Sequence, residues 1–459
     1  MRRTLAVLSV AQFLIALDYS IIYIALPSVA ADLALEPALA QWVISAYAVL
    51  FAGFLVAGGR LTDRVGAKRL FVGAVVFFGL ASAVGGAATD GSVLLAARAA
   101  QGLGAALLQP AIIGLIGTTF PAGPARSRAL AVWGGVGASG LAAGAVLGGV
   151  LTTASWRLTF VINVPLTLLC AAGALVWIRT AATTASSRIP LRAAVLGTGT
   201  VLTLVLGLTL GAGQGWRAWP TLAGLALAVV LFAAFVRNER GAPLIEPALR
   251  RIRSLRAGAL ATALYMASVG SEFYLLTLLL QTMKGYDALR AGLAFVPLAV
   301  LVTAGNAVAG RAVRAFRPAT VLAGGFALAT AGLAWLALAL SGDSYAADLL
   351  PGLLLSGLGH GVIYTSMFVI GTRDVPATHQ GTAGALLTTS QYLSAAVTVA
   401  ILTLVLGPAP DHAAFRAAFL VTAAAAAAGF ALSTRSDARD NVPTRLDSAT
   451  TGPVCPSTG

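Results

Sequence analysis

The sequence predicts an all-α polytopic membrane protein, with fourteen transmembrane helices arranged as two pseudo-symmetric six-helix bundles and two intervening helices. Three observations carry this expectation. Hydrophobic residues make up 58% of the chain and charged residues 10%, with a mean hydropathy of +0.88, which lies far outside the range of soluble domains. Apolar stretches of the roughly 20 residues that a span requires recur along almost the whole chain. Basic residues concentrate on alternate connections between those stretches.

The stretches run approximately from 4 to 27, 41 to 58, 70 to 88, 92 to 118, 128 to 151, 158 to 178, 191 to 211, 219 to 237, 257 to 281, 290 to 310, 318 to 339, 346 to 371, 381 to 406 and 413 to 433. The first follows Met1-Arg2-Arg3 and imitates a secretory signal, with Ser28-Val29-Ala30 resembling a cleavage site. Its length and its Asp18 identify it instead as a retained span. With both termini placed in the cytoplasm, the inner segments hold 24 of the 30 Lys and Arg residues. The outer loops hold only Arg157, Arg217, Lys284, Arg290 and Arg416, and Arg98 falls inside a span. This is the positive-inside pattern, so the net charge of +14 belongs to the membrane surface and no nucleic-acid partner is expected.

Polar linkers at 179–190 and 238–256 isolate spans 7 and 8 from six spans on either side. The expected organisation is a first bundle at 1–180, an intervening pair at 181–256, a second bundle at 257–433 and a disordered cytoplasmic tail at 434–459. Paired six-span halves are the layout of transporters built from internal repeats. A faint repeat agrees with it: span 2 ends in Gly59-Arg60-Leu61 and a charged hairpin, and span 10 ends in GRAVRAFRP, Gly310 to Pro318, without the acid. Cys170 and Cys455 suggest neither a disulfide framework nor a metal site.

Two acids fall well inside spans, away from their ends, and any carboxylate proton site deep in the membrane has to be one of them. Asp18 lies nine residues before Pro27, about 14 Å below the outer end of its span. It reads either as a proton-exchanging group facing a polar cavity or as half of a helix-packing ion pair. Glu272, in the corresponding span of the second half, has the same spacing from Gln281, and the two acids are expected to face each other across a central cavity. Arg98 needs an anion, and Asp18 is nearest in depth; the pair is either a switch freed by protonation or a permanent structural bridge. His360, within GLGHG, suits proton relay or hydrogen-bonded packing equally. Gly140, Gly144 and Gly148, with Gly149 adjacent, form a small-residue face for close helix packing or for sliding between bundles. In the hairpin, Asp63 is the one acid among Arg60, Arg64, Lys68 and Arg69. A carboxylate there can meet a helix N-terminus or an arginine, and so act as a conformational latch.

These residues resemble a known family. The chain is similar to the major facilitator superfamily transporters, and within them to the fourteen-span drug/proton antiporters, over nearly all of its length apart from the tail. Gly59, Leu61, Asp63, Arg64, Gly66 and Lys68 match the superfamily's loop between spans 2 and 3. Arg98, Gln101, Gly102 and Gly104 match its span 4 motif, whose arginine the family associates with proton coupling. LDYSIIYIALP, from Leu17 to Pro27, and WRLTFVINVP, from Trp156 to Pro165, resemble its span 1 motif and its entry to span 6. Gln281, Gly285, Tyr286, Gly292 and Pro297 fit its passage from span 9 to span 10. Three positions depart from the pattern: Ala145 follows Gly144 where the antiporter motif has proline, Tyr23 replaces an asparagine, and span 13 offers Gln391 and Tyr392 where some relatives carry an acid.

The resemblance implies proton-coupled export of small lipophilic drugs or antibiotics; together with the intramembrane residues read above, it leads to the expectation that Asp18, Arg98 and Glu272 serve proton coupling and that Asp18, Tyr23, Glu272, His360 and Gln391 line the substrate cavity. The partners expected are a small-molecule substrate, protons and the lipid bilayer, for a monomer that needs no cofactor beyond the proton gradient. The alternative is an importer or uniporter of a small metabolite on the same fold. A membrane enzyme would need a nucleophile, base or metal constellation, which His360, His379 and His412 do not provide. There is no phosphate-binding GxxxxGK[ST] loop. Arginine outnumbers lysine 28 to 2, which suggests a GC-rich bacterial genome and hence a bacterial cytoplasmic membrane.

Overall fold

In hydrocarbon a backbone N–H or C=O finds no water, so each apolar stretch satisfies its own polar groups by forming a helix. The computed structural model describes residues 1–35, 37–179, 191–239, 246–342, 344–407 and 410–440. Its long helices are α1 (Arg2–Asp32), α2 (Pro37–Val65), α3 (Ala67–Gly86), α4 (Gly91–Thr119) and α5 (Pro124–Ala154). There follow α6 (Leu158–Trp177), interrupted at Ile162, then α7 (Leu191–Gln214), α8 (Trp219–Asn238) and α9 (Arg253–Met283). The last five are α10 (Arg290–Ala315), α11 (Pro318–Ala339), α12 (Tyr345–Thr372), α13 (Gln380–Leu406) and α14 (His412–Asp440). No strand occurs among the described residues.

Among the described residues 13 helices are long and apolar enough to cross a membrane, and α5 covers the one further stretch expected, 128 to 151. Their outward side chains are themselves apolar, including Leu80, Leu168, Leu169, Val229 and Val230, as a surface facing lipid requires. Two boundaries differ from expectation. Helix α2 continues to Val65, so Gly59, Asp63 and Arg64 ride on its last turns, and the chain reverses only at Gly66, whose φ of 96° favours glycine. At the other end, residues 434–440 continue α14 as helix where disorder was expected; the rest of the tail, with Cys455, and most of the first linker lie outside the described residues.

The helices pack in two groups. In the first, α1 lies on α5 and α6, α2 on α4, and α3 on α4 and α6; in the second, α9 lies on α12 and α13, α10 on α12, and α11 on α12 and α14. The groups meet where α5 packs on α10 and α12 and where α2 and α4 pack on α13. Helices α7 and α8 pair with each other, and α7 rests on both α2 and α13 at the seam. On the side opposite the hairpin, Asp90 caps α4 by accepting from the backbone N–H groups of Ser92 (2.9 Å) and Val93 (3.0 Å). The Ser92 hydroxyl and these N–H groups hold its carboxyl below the usual carboxylate range.

The glycine stripe of α5 faces α1. A side-chain carbon at Gly140 would lie 2.8 Å from the Phe13 carbonyl oxygen, at Gly144 2.7 Å from that of Leu17, and at Gly148 3.1 Å from that of Ile21. The stripe therefore lets two backbones touch within the first group, and is not a sliding surface between groups; Gly149 sits beside it. A different face of α5 meets the second group: Ser139 Oγ lies 3.3 Å from Thr303 Oγ1, and a carbon at Gly134 would lie 2.8 Å from Asn306 Oδ1. Backbone carbonyls cannot turn aside, so Gly144→Leu is expected to lower stability by about 1–3 kcal/mol through overpacking. Gly73→Ala, with nothing within 4 Å of the added carbon, should leave the thermal midpoint in detergent unchanged or raise it.

Candidate functional site

Asp18 lies close to the midpoint of α1, deeper than its distance from Pro27 implied, because α1 continues through that proline to Asp32. Its carboxylate is 1% exposed and accepts three hydrogen bonds. Arg98 Nη1 donates to Oδ2 at 2.8 Å, while Gln101 Nε2 at 3.0 Å and Asn163 Nδ2 at 2.7 Å both donate to Oδ1. Arg98 also donates through Nε to the Val43 carbonyl at 3.0 Å and through Nη1 to Gln101 Oε1 at 2.8 Å, with its guanidinium 4.5 Å from the centre of the Tyr47 ring. Gln101 Nε2 reaches Ser82 Oγ at 2.8 Å. The arginine and glutamine are one turn apart on α4, which brings both to one face. A carboxylate so supplied forms a buried ion pair with the guanidinium; losing either charge would strand the other in a buried setting, at a cost of about 3–5 kcal/mol.

Glu272 does not join this site. It is fully buried on α9 and accepts from Ser356 Oγ of α12 at 2.7 Å, and no hydrogen bond links it to the Asp18 network among the described residues. The expected two-carboxylate site across a central cavity is thus replaced by two separate acids, one in each group. π segments interrupt α9 on both sides of Glu272, at Met266–Gly270 and at Leu279–Met283, so counting back from Gln281 did not give the direction in which the acid points. His360 is 5% exposed, hydrogen-bonded through Nε2 to the Tyr265 hydroxyl, and edge-on to the Tyr265 ring. Gln391 is also buried.

Of the five residues expected to line a cavity, only Tyr23 presents an open surface, at 46%. Asp18, Glu272, His360 and Gln391 are enclosed by neighbouring helices in this conformation. From Tyr23 a string of rings runs inward: Tyr23 to Tyr19 at 5.7 Å, Tyr19 to Tyr47 at 6.4 Å, Tyr47 to Phe51 at 5.8 Å and Phe51 to Tyr392 at 4.6 Å. It begins on α1, passes the ring under Arg98 and ends on α13 in the second group.

On the hairpin side Asp63 ties the two groups together. Its Oδ1 accepts from the Gly381 N–H at 3.1 Å, and its Oδ2 accepts from the Thr382 N–H at 3.0 Å and the Thr382 hydroxyl at 2.5 Å. These are the first N–H groups of α13, which has no side-chain cap of its own. The first group therefore supplies the N-terminal cap of a helix in the second. Gly59 permits the approach, since a carbon there would lie 3.0 Å from the Gly381 carbonyl oxygen. Lys68 Nζ donates to the Leu175 carbonyl at 3.3 Å, and Arg64 is exposed.

Asn163, Ser82, Tyr47, Ser356, Tyr265 and Thr382 were not anticipated as site residues. Asn163 alone carried a signal, as the only amide within the apolar run of α6. Removing its hydrogen bond in Asn163→Ala should destabilise the folded protein by about 1.5–3 kcal/mol, the usual worth of a bond to a charged group. Asn163→Asp, which sets a second carboxylate against Asp18, should cost more, and thermal unfolding in detergent measures both.

A family model described as Major Facilitator Superfamily matches residues 8–399. The chain is 37% identical over 412 residues to a cephamycin export protein of Amycolatopsis lactamdurans, covering 86% of this chain and 83% of that one. It is 35% identical over 405 residues to a puromycin resistance protein of Streptomyces alboniger (87% and 80% covered), and 32% identical over 408 residues to a tetracenomycin C resistance and export protein of Streptomyces glaucescens (87% and 74% covered). Its fold matches the crystal structure of the human organic anion transporter MFSD10 (TETRAN) with a TM-score of 0.71 at 16% identity, covering 94% of this chain and 99% of that one. The transporter FucP in its outward conformation matches with a TM-score of 0.66 at 15% identity, covering 94% and 98%. By the family model and by these relatives, the chain belongs to the Major Facilitator Superfamily, a family of transporters rather than enzymes.

Proposed function

We propose that this protein exports small lipophilic molecules, drugs or antibiotics, across the bacterial cytoplasmic membrane in exchange for protons, by alternating access between two six-helix bundles. The observation that carries the reading is the buried Asp18–Arg98 pair at 2.8 Å, an acid whose bound cation a proton can replace. The cargo class rests on relatives described as cephamycin export, puromycin resistance and tetracenomycin C resistance and export proteins. With fourteen spans both termini and the hairpin lie on one side, and the basic residues of the inner segments support the cytoplasm as that side. Residues 1–180 and 257–433 are the moving bundles, and 181–256 form the pair between them. A single chain holds every part of this cycle, so a monomer suffices, and the proton gradient replaces any cofactor.

In the proposed cycle a proton from outside binds Asp18. Oδ2 then carries an O–H instead of accepting from Arg98, which keeps the Gln101 and Val43 oxygens and the Tyr47 ring. The attraction between α1 and α4 falls, the bundles rock, and Asp63 withdraws from the α13 N-terminus, opening the cytoplasmic side. Cargo enters against the aromatic string. Release of the proton inward restores the ion pair and the Asp63 cap, and the cargo leaves outward.

The test is uptake of puromycin and of ethidium into inverted membrane vesicles made acid inside. Wild type should concentrate one or both, and Asp18→Asn should lower gradient-driven uptake by at least about tenfold, the rate factor of ~1.4 kcal/mol in a barrier. Undiminished gradient-coupled uptake in Asp18→Asn would sink the role given to Asp18, and flux in the opposite direction would favour an importer. Asp63→Ala should weaken the cytoplasmic closure by about 1–2 kcal/mol, the worth of a charged cap at a helix N-terminus. A cysteine introduced on the cytoplasmic end of α13 should then be labelled faster by a membrane-impermeant maleimide.

A further inference from the structure

The second group of helices buries an acid under conditions opposite to those of Asp18. Glu272 is 0% exposed, and among the described residues its only hydrogen bond is from Ser356 Oγ to Oε1 at 2.7 Å. That hydroxyl has a single proton and also lies 3.4 Å from the Leu353 carbonyl oxygen. Oε2 has no hydrogen-bond partner, and no ion pair reaches the carboxyl among the described residues. An ionised carboxylate offers about four acceptor sites. Burying one with a single shared donor is so unfavourable that the group takes up a proton instead.

One turn along α12 from Ser356 stands His360, the other half-satisfied titratable group of this region. Its Nε2 meets the Tyr265 hydroxyl, while its buried Nδ1 has no partner. Ser356 and His360, at positions i and i+4, share one face of α12. Tyr265 and Glu272 face them from α9, one on each side of the π segment Met266–Gly270. Such bulges recur at functional sites because they turn side chains that a regular helix would point elsewhere. Four further titratable groups on α9 and the neighbouring helices are otherwise engaged. Arg416 of α14 donates to the Ala337 carbonyl at 3.3 Å, Tyr364 of α12 lies against Tyr265 at 5.6 Å, Tyr392 of α13 lies against Phe51, and Tyr274 Oη is 3.1 Å from Thr403 Oγ1.

We propose that Glu272 is a second proton-binding site, independent of Asp18, which holds a proton on Oε2 in this conformation and forms one proton-handling seam with Ser356, His360 and Tyr265. The role in transport rests on proton-driven export; the bound proton does not. An O–H bond forms at Oε2 with a proton taken from outside water, and the same bond breaks toward the cytoplasm when α9 and α12 separate. His360 Nδ1, which has no hydrogen-bond partner among the described residues, is the acceptor position that the seam offers that proton as it leaves. Each transport cycle then moves one more proton than Asp18 alone provides.

The experiment is infrared difference spectroscopy of the purified full-length protein across a pH titration, in H₂O and D₂O. A protonated carboxylic acid shows a carbonyl band that shifts in D₂O and is lost when the acid ionises. At about pH 7.5, where the exposed carboxyls are ionised, wild type and Asp18→Asn should both show the band, Glu272→Gln should abolish it, and Ser356→Ala should keep it at an altered frequency. A band that survives in Glu272→Gln, or no band in wild type, overturns the proposal. Glu272→Gln is nearly isosteric, and its thermal midpoint checks that it folds. Because the readout needs no transport, a failure of export in vesicles and a failure of this site are told apart.

Discussion

The ion pair between Asp18 and Arg98 is the constraint around which the first group of helices is arranged. Neither charge is tolerable alone in hydrocarbon, so both must be brought together and met by further hydrogen bonds. Helix α1 contributes the acid, α2 the Val43 carbonyl and the Tyr47 ring, α3 the Ser82 hydroxyl, α4 the arginine and glutamine, and α6 the amide of Asn163. Helix α5 gives no polar group to the site. Its glycine stripe instead lets α1 sit backbone against backbone, which fixes the depth and rotation at which Asp18 is presented. Packing and charge therefore act on the same helix from opposite sides.

The two groups share a packing pattern but not an electrostatic one. The first concentrates an ion pair bridged by the amides of Gln101 and Asn163; the second holds an acid, Glu272, with no cation beside it among the described residues, next to Ser356, His360 and Tyr265. The same asymmetry appears at the membrane surface. Asp63 of the first group caps α13, whereas the matching stretch after Gly310 has no acid, and α5, whose N-cap is Gly123, has no side-chain cap. A lock made from one side only has a single release step. Around it, Arg60 of α2 lies 3.6 Å from Glu246, and His379, just before α13, lies 3.5 Å from the same carboxylate. The connection leading into α9 thus touches both groups beside the lock.

Much of the fold was legible because hydrocarbon leaves the chain few options: a run of about 20 apolar residues must be a helix, and basic residues mark the loops. The partnership of Asp18 with Arg98 was legible for the same reason, as two opposite charges at neighbouring depths with no other claimant. Asp63 could be read as a cap in search of a helix, although its partner lies more than three hundred residues away and only the fold names it. What could not be read was rotation. Depth along a helix follows from counting residues, but the direction of a side chain changes by about 100° per residue, and Glu272, with a π segment on either side, faces Ser356 instead of an expected central cavity. Ordinary residues such as Ser82 and Tyr47 acquire roles only through the neighbours that the fold gives them.

The central claim is that the charge state of Asp18 governs the contact that Asp63 makes at the far end of the bundle. It is tested most directly by spin labels on cysteines at Arg64 and Ala377, flanking the lock, in protein lacking Cys170 and Cys455, with the distance distribution measured for Asp18 and for its neutral mimic Asp18→Asn. The account predicts that the neutral mimic shifts the population from the short distance toward a longer one, as acidification does in the parent protein. Identical distributions for both, with Asp63 still seated on α13, would contradict it.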